Sequence, residues 1–329
     1  MGLIKNWSVF QFFSMGFFNS IFGNGTPVSE DEKKEQEAQR QYDLLRDTGV
    51  RALRAHELPT AIDCLNQAHL MRPDDAETLS YLVEALLQKQ DFEQALPLLK
   101  KLADAETENL EVSLLLAQTQ GRLKRYDEMA ATMMPLMATH ADDARVFRLA
   151  AEAAHGQHND IMAIAWLTQA LALREDDVNA RLLRARVLKG MGQWNEVLTD
   201  TTVITTAHQD IEEAWMLHGE ALAANGKSEE AAEAFRHVVG LNPFSADAYL
   251  LLAETLEAAG QQQEALNACN EAIEQMPELA EAYKLRGGIK LRLHDELGAA
   301  DDLKKALQIK PELAQGLEGA FSNMDNYKG

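Results

Sequence analysis

Apolar and polar residues alternate along the chain with the three- and four-residue spacing of amphipathic helices, in pairs of segments joined by short polar links. The pattern returns every 34 residues, as the prolines that end three successive segments show: Pro243, Pro277 and Pro311. With Tyr42 as position 1, eight units follow one another to residue 313 without an insertion or a deletion. A period of this length predicts tandem copies of one structural unit.

Each unit is predicted to contain two helices, A and B, that approach closely across a short turn. Position 8 is small in seven of the eight units, and position 20 is alanine in six of them. Small residues twelve apart allow antiparallel helices to cross at short range, and the large residues at position 24 fill the space beside them. Position 32 is proline in four units, where it ends helix B.

Repeat six resembles the tetratricopeptide repeat family, because Trp215, Gly219, Ala231, Phe235 and Pro243 lie at the signature spacings of that family. Repeats seven and eight match at Ala253, Ala265, Pro277, Gly287, Ala299 and Pro311. The resemblance implies an all-α fold, a right-handed superhelical solenoid of about eight stacked antiparallel helix pairs with a C-terminal capping helix. It also implies a concave groove, lined by the A helices, that binds partner proteins.

The domain organisation follows from the extent of the repeats. We expect an apolar N-terminal segment over 1–29, a charged lead-in helix over 30–41, eight repeats over 42–313 and a capping helix over 314–329. Repeat three departs from the pattern at Ser113, Met129 and Pro135, and repeat two has Pro97 within helix B. Because proline removes a helical hydrogen bond, a change of curvature is expected at these two repeats.

Composition favours helix and argues against several classes of partner. Apolar residues make up 46% of the chain but aromatic residues only 6%, which fits cores of small side chains. The formal net charge of -21 disfavours nucleic acids and anionic membranes as partners and fits a cytoplasmic protein. Cys64 and Cys269 show no metal spacing and are expected to be free thiols.

Catalysis and cofactor binding find little support in the sequence. The nine histidines are dispersed, and no phosphate-binding loop, dinucleotide fingerprint or nucleophile motif is present. His155 and His158 form the best-spaced pair for a metal, but a solvated turn is the favoured interpretation. We therefore expect a protein that is not an enzyme and holds no cofactor or metal.

The face of helix A formed by positions 2, 5, 9 and 12 is the expected groove lining. Repeats four and five place a basic island on it, which consists of Arg145, Arg148, Arg186 and Lys189, with Arg181 and Arg184 adjacent in sequence. One interpretation is a binding site for an acidic, phosphorylated or carboxylate-bearing protein segment. The other is that these side chains form ion pairs with neighbouring acids and only solvate the groove.

The resemblance also permits a test for one partner class. Some tetratricopeptide proteins hold the C-terminal carboxylate of heat-shock chaperones with a lysine at position 5 and an asparagine at position 9. No repeat of this chain has that pair, which disfavours those chaperones as partners.

Two functions remain open from the sequence. The first is a non-enzymatic interaction scaffold that holds a partner segment in its groove. The second is a membrane-associated assembly or recruitment factor, docked at the inner face of a membrane through the Phe-rich segment from Trp7 to Phe22. That segment is too short and too interrupted by polar residues for a confident membrane span. A start of translation at Met15 instead of Met1 and a flexible tail are the alternative explanations.

Overall fold

A computed structural model describes the backbone of residues 29–316 and the side chains of residues 29–313. This part of the chain forms sixteen α-helices and one short 3-10 helix, with no strand. It divides into two compact units between Leu123 and Lys124.

Unit 1 contains five helices, and each packs against the next. They are α1 (Glu30–Arg54), α2 (Leu58–Met71), α3 (Ala76–Gln88), α4 (Phe92–Ala105) and α5 (Leu110–Arg122). Helix α1 begins with a capping box, in which the Ser29 hydroxyl accepts from the Glu32 N–H and the Glu32 carboxylate accepts from the Ser29 N–H. It continues through the charged residues 30–41 into helix A of repeat one as a single helix.

Unit 2 contains eleven helices among its described residues, again packed in chain order. They are α6 (Tyr126–Thr139), α7 (Ala144–Gly156), α8 (Asp160–Leu173), α9 (Val178–Gly190), α10 (Trp194–Ala207), α11 (Glu212–Ala224), α12 (Ser228–Leu241), α13 (Ala246–Ala258), α14 (Gln262–Gln275), α15 (Ala280–Arg292) and α16 (Glu296–Ile309). A 3-10 helix at Pro311–Gly316 follows α16 and packs against it.

The helix bounds keep the period of the sequence. In repeats two to eight, helix A begins at position 1 and has 13 residues, and in all eight repeats helix B begins at position 17 and has 14 residues. The predicted all-α architecture of repeated helix pairs is thereby confirmed. The Phe-rich N-terminal segment and most of the predicted capping helix lie outside the described residues.

The small and large positions meet as the pattern predicts. All eight residues at position 20 are completely buried, and those at position 24 are at most 3% exposed. In repeat six, a Cβ atom on Gly219 would lie 2.7 Å from the ring of Phe235. A Cβ atom on Gly287 would lie 3.2 Å from the carbonyl oxygen of Ala299, so glycine at position 8 sets the helix separation in these repeats.

The turn between helices A and B has the same conformation in every repeat. Position 15 has a positive φ between 56° and 78° in all eight, and it is glycine only at Gly192, Gly226 and Gly260. In seven repeats the next residue donates its N–H to the carbonyl of position 11, as Lys227 does to Leu222 at 3.0 Å. This closure is a Schellman motif, which ends helix A with its last carbonyls satisfied.

Helix α6 runs without a break through Pro135, and α4 runs without a break through Pro97. The division between the two units falls inside repeat three, between its helix A and its helix B. The change of curvature expected at repeats two and three stays a prediction.

Candidate functional site

Within unit 2, α7 contacts α9, α9 contacts α11 and α13 contacts α15. We call the residues at positions 2, 5, 9 and 12 of the A helices the helix A face. The side chains that line it are held at fixed spacings by the 34-residue repeat. This face carries the basic residues predicted from the sequence.

Two of the predicted cations join neighbouring A helices. The Arg186 guanidinium donates from Nε and Nη2 to the two carboxylate oxygens of Glu213, and Lys189 Nζ lies 2.5 Å from Glu220 Oε2. Both pairs connect α9 to α11, and all four side chains are at least one-fifth exposed. Pairs of this exposure contribute little stability.

Arg145 and Arg148 lie on α7, near two aspartates that precede A helices. Arg145 donates from Nε and Nη2 to the Asp143 carboxylate, at 2.7 Å for the shortest contact. These hydrogen bonds lower the pKa of Asp143 below its ordinary value, although burial opposes the shift. Arg148 Nε lies 3.7 Å from the carboxylate of Asp177, which is beyond hydrogen-bonding distance.

Arg181 and Arg184 occupy the interior between α9 and α10. Arg184 makes a two-point contact with Asp200 at 2.7 and 2.6 Å, and Arg181 approaches the same carboxylate at 3.4 Å. The Asp200 side chain is 1% exposed and that of Arg181 is 11% exposed. These contacts join the two helices of repeat five by charged side chains.

Repeat eight contains the same arrangement, which sequence reasoning missed. Arg286 donates to Asp302 at 2.8 and 2.5 Å, and Lys290 adds a third contact at 2.8 Å. Arg184 and Arg286 are both at position 7, and Asp200 and Asp302 are both at position 23. An arginine at position 7 together with an aspartate at position 23 was the signal in the sequence that could have revealed this contact.

In both repeats the arginine also reaches the preceding repeat. Arg184 Nη1 lies 3.3 Å from Thr168 Oγ1, and Arg286 Nη1 lies 2.7 Å from Asn270 Oδ1, and both acceptors are at position 25. We call this three-residue contact the Arg–Asp clasp. It ties helix A and helix B of one repeat to helix B of the repeat before it.

Acidic residues dominate the helix A face in repeats six and seven, whereas Glu281 and Lys284 cancel in repeat eight. Glu257 pairs with Arg292, and Glu281 pairs with Lys310 at 2.6 Å. Asp247 and Glu254 are exposed and make no ion pair within the described part of the chain. The helix A face therefore changes from net positive at α9 to net negative at α13.

Three of the histidines and one of the cysteines lie at turn or packing positions of the repeats. His158 is a positive-φ turn residue, and His155 Nδ1 lies 2.6 Å from Asp160 Oδ1. Burial lowers the pKa of His218, which pairs with Thr201 Oγ1 at 2.9 Å, and raises the pKa of the Cys269 thiol to about 12. Across residues 29–313, no three His, Cys, Asp or Glu side chains are grouped so that they could hold a metal ion.

Two family profiles, both described as tetratricopeptide repeat, match the chain. One matches residues 46–109 and 216–280, and the other matches residues 86–153, so that together they cover more than half of the sequence. Among curated proteins, none matches this chain.

Solved structures of similar fold also contain these repeats. The C-terminal part of a TPR repeat-containing protein from Cytophaga hutchinsonii superposes with a TM-score of 0.61 at 16% identity, over 74% of this chain and 99% of that one. YrrB, described as a TPR protein with an unusual peptide-binding site, superposes with a TM-score of 0.51 at 20% identity, over 58% of this chain and 98% of that one. At these identities the likeness supports the fold alone.

None of the sixteen described helices combines the length and the apolar character that crossing a bilayer requires.

Proposed function

Because the chain belongs to the tetratricopeptide repeat family, we propose that it is a protein-interaction scaffold that binds an extended segment of a partner protein along the helix A face of unit 2. The proposal assigns the chain no catalysis of its own. The peptide-binding site described for YrrB supports this type of role for a related fold. The partner segment is expected to carry an acidic side chain or a C-terminal carboxylate.

One observation carries the proposal. Arg186 and Lys189 are paired with Glu213 and Glu220 across neighbouring A helices, and they remain 49% and 41% exposed. An exposed pair of this kind contributes about 0.2–1 kcal/mol, which a well-placed carboxylate of the partner can match. The arginine fork would fix the orientation of the bound segment through a two-point contact.

The other predicted residues support this surface in different ways. Arg145 and Arg148 extend it toward repeat four, where Arg148 has an Nε group with no hydrogen-bond acceptor in the described structure. Arg181 and Arg184 lie beneath it and hold α9 against α10 through Asp200. We therefore expect substitutions of Arg186 and Lys189 to affect binding most directly.

Affinity capture from the native cell tests the proposal. The full chain should capture a partner, and the Arg186→Glu/Lys189→Glu variant should lose most of it, because the new carboxylates repel an acidic segment. Lys304→Glu/Lys305→Glu is the matched control, since both lysines are exposed on α16 and lie away from the helix A face. Equal capture by both variants and the original chain would overturn the assignment of this face.

A charge swap separates binding from stability. Arg186→Glu combined with Glu213→Arg keeps an ion pair between α9 and α11 but reverses its direction. If capture stays lost although thermal stability returns, Arg186 itself meets the partner. If capture returns with stability, the pair has only a structural role.

Membrane docking through the Phe-rich N-terminal segment is the second candidate function. The segment from Trp7 to Phe22 has Lys5 as its nearest charge, so any attraction must come from aromatic and apolar burial. Cell fractionation of the full chain beside chains that start at Met15 and Thr26 tests it. If all three remain in the soluble fraction, this candidate is excluded.

A further inference from the structure

The first helix of unit 1 differs from every later A helix on the side that faces away from the next repeat. Positions 3 and 10 are buried in all of repeats two to eight. In repeat one these positions are Leu44 and Arg51, and both are exposed, Leu44 at 65%. The reason is topological: position 3 contacts the preceding repeat, as the 2.8 Å contact between the hydroxyls of Thr78 and Tyr42 shows, and no described repeat precedes repeat one.

A cleft of about 490 Å³ is lined by these exposed residues of α1 and, on its other side, by Glu77 and Tyr81 of α3. Three arginines line it, Arg46, Arg51 and Arg54, together with the apolar surfaces of Leu44, Val50 and Tyr81. Two acids, Asp47 and Glu77, also line it, so the cleft carries one excess positive charge in a chain of net charge -21. It therefore combines a local cationic site with an apolar floor.

Contacts within the described part of the chain leave some guanidinium N–H groups of these arginines without an acceptor. Arg46 pairs with Asp47 at 3.0 Å, but Arg51 donates only to the Asp47 carbonyl and the Thr48 hydroxyl. Within residues 29–313, Arg54 has no hydrogen bond and no ion pair. Two guanidinium groups are thus available to an acceptor from outside.

Helix capping does not explain Arg51 and Arg54. The carbonyl groups of Arg51, Ala52 and Leu53 accept from the N–H groups of Ala55, Glu57 and His56 at 2.9–3.0 Å. Because backbone N–H groups already bond these carbonyl groups, the side chains of Arg51 and Arg54 are not needed to cap the end of α1.

We propose that this cleft binds an acidic, extended segment of a partner protein, with Arg51 and Arg54 on its carboxylates and an apolar side chain against Leu44, Val50 and Tyr81. Guanidinium groups match carboxylates in charge and in two-point geometry. The inference rests on the proposed function in that it takes the chain to be a binding scaffold. It adds a second site, in unit 1, and states what that site selects.

Charge complementarity chooses this occupant over the others. The chain's own segment before α1 has Lys5 as its only charge, so it offers no carboxylate to Arg51 and Arg54. A nucleic acid carries the required negative charge but is repelled by the chain as a whole. A short acidic peptide can satisfy the two arginines without placing a long anion beside the remaining surface.

Fluorescence anisotropy with the full chain tests the proposal. The probe is a short fluorescein-labelled peptide of Leu, Asp and Glu, compared with the same peptide bearing Lys for each acid and with one bearing phosphoserine. We expect the acidic probe to bind, the lysine probe not to bind, and affinity to fall as salt is raised. Tighter binding of the phosphoserine probe would assign the site to phosphorylated segments instead and overturn the carboxylate assignment.

Two matched variants on the same helix locate the contact. Arg51→Glu/Arg54→Glu should weaken the acidic probe at least about tenfold. Lys34→Glu/Arg40→Glu makes the same change in net charge at other exposed positions of α1. It should leave the affinity for the acidic probe within about twofold, because net charge alone is expected to have little effect. Arg51→Gln/Arg54→Gln, with far-UV circular dichroism to check folding, removes the charge without adding a repulsive one.

The outcomes separate this inference from the proposed function. Equal weakening by both charge-reversal variants would show a non-specific charge effect and overturn the site. No binding of any probe, while the native partner is still captured through the helix A face of unit 2, would overturn the inference alone. Loss of both would count against the scaffold function itself.

Discussion

At the scale of the single residue, the fold depends on one backbone conformation that most side chains disfavour. Position 15 has a positive φ in every repeat, yet five of the eight residues there are not glycine: His56, Gln90, Lys124, His158 and His294. A side chain in this region costs about 1–2 kcal/mol relative to glycine. The packing of the two helices therefore holds the turn in this conformation despite its local strain.

Glycine substitution at position 15 should stabilise the protein. His158→Gly removes the strain at φ 62°, and the exposed side chain has no hydrogen bond to lose. The free energy of unfolding, measured in urea, should rise by about 0.5–1 kcal/mol, less than the full strain because glycine also makes the unfolded chain more flexible.

The reverse substitution should be destabilising. Gly226→Ala places a Cβ atom in open space, so its cost of about 1 kcal/mol comes only from φ 75°. Gly190→Ala, also in open space but with an ordinary helical φ, is the control and should lose no stability. A loss of equal size in both variants would contradict this explanation.

At the scale of the helix pair, the Arg–Asp clasp replaces apolar packing by buried charge in repeats five and eight. The side chain of Asp302 is 6% exposed and is contacted by both Arg286 and Lys290. Burial by itself raises the pKa of Asp302, but the hydrogen bonds from these two cations outweigh it and lower the pKa. An ion pair of this kind is costly to break, because one charge is left buried without its partner.

The clasp predicts acid-sensitive stability in repeat eight. Since the pKa of Asp302 is lower in the folded state, its contribution is present above about pH 4 and is lost as the pH falls through the folded pKa. Asp302→Asn should cost about 3 kcal/mol near pH 7, and this cost should fall progressively as the pH is lowered below about 4, measured by urea unfolding.

Asp301→Asn is the matched control for this prediction. It removes the same charge from the neighbouring residue, which is exposed and has no ion pair in the described structure. Its effect should be within about 0.5 kcal/mol at either pH. A cost for Asp302→Asn that does not change with pH would show that packing, not charge, explains the clasp.

At the scale of the whole molecule, contacts in a chain of repeats connect neighbours only, so stability can be distributed unevenly. The division into two units between Leu123 and Lys124 indicates that unfolding need not be a single transition. The tryptophans offer a probe, because Trp166, Trp194 and Trp215 all belong to unit 2 and Trp7 is the only other one.

A Trp7→Phe variant should show two unfolding transitions by two methods. Its tryptophan fluorescence reports unit 2 alone, whereas far-UV circular dichroism reports the helices of both units. We expect the two guanidinium curves to differ, with part of the dichroism change absent from the fluorescence change. Coincident curves would show that the repeats unfold as one cooperative system.

The fold could be predicted from the sequence because it depends on contacts between residues that are close together in the chain. Helix bounds follow from the period, and the contacts of Gly219 with Phe235 and of Gly287 with Ala299 join residues twelve or sixteen apart. The turn conformation at position 15 was not predicted, since histidine, glutamine and lysine at these turns are not typical of a positive φ.

The candidate site could be predicted only in part. Four basic residues were predicted to form one island with Arg181 and Arg184 beside it in sequence, but packing gives the six residues different surroundings. Arg181 and Arg184 lie in the interior because α9 and α10 bring Asp200 to them, whereas Arg186 and Lys189 stay on the surface. The cleft at Arg51 and Arg54 was not predicted, because its exposure depends on the absence of a preceding described repeat.

The sequence by itself therefore determined the repeated helix pair, its length and its small-residue contacts, because local spacing and side-chain size are sufficient for these. Only the tertiary structure decided which charges are buried, which are paired across repeats and which remain available. The physical reason is that an ion pair depends on the distance between two side chains in space, and the repeat pattern fixes backbone positions without specifying where an acid stands opposite a base.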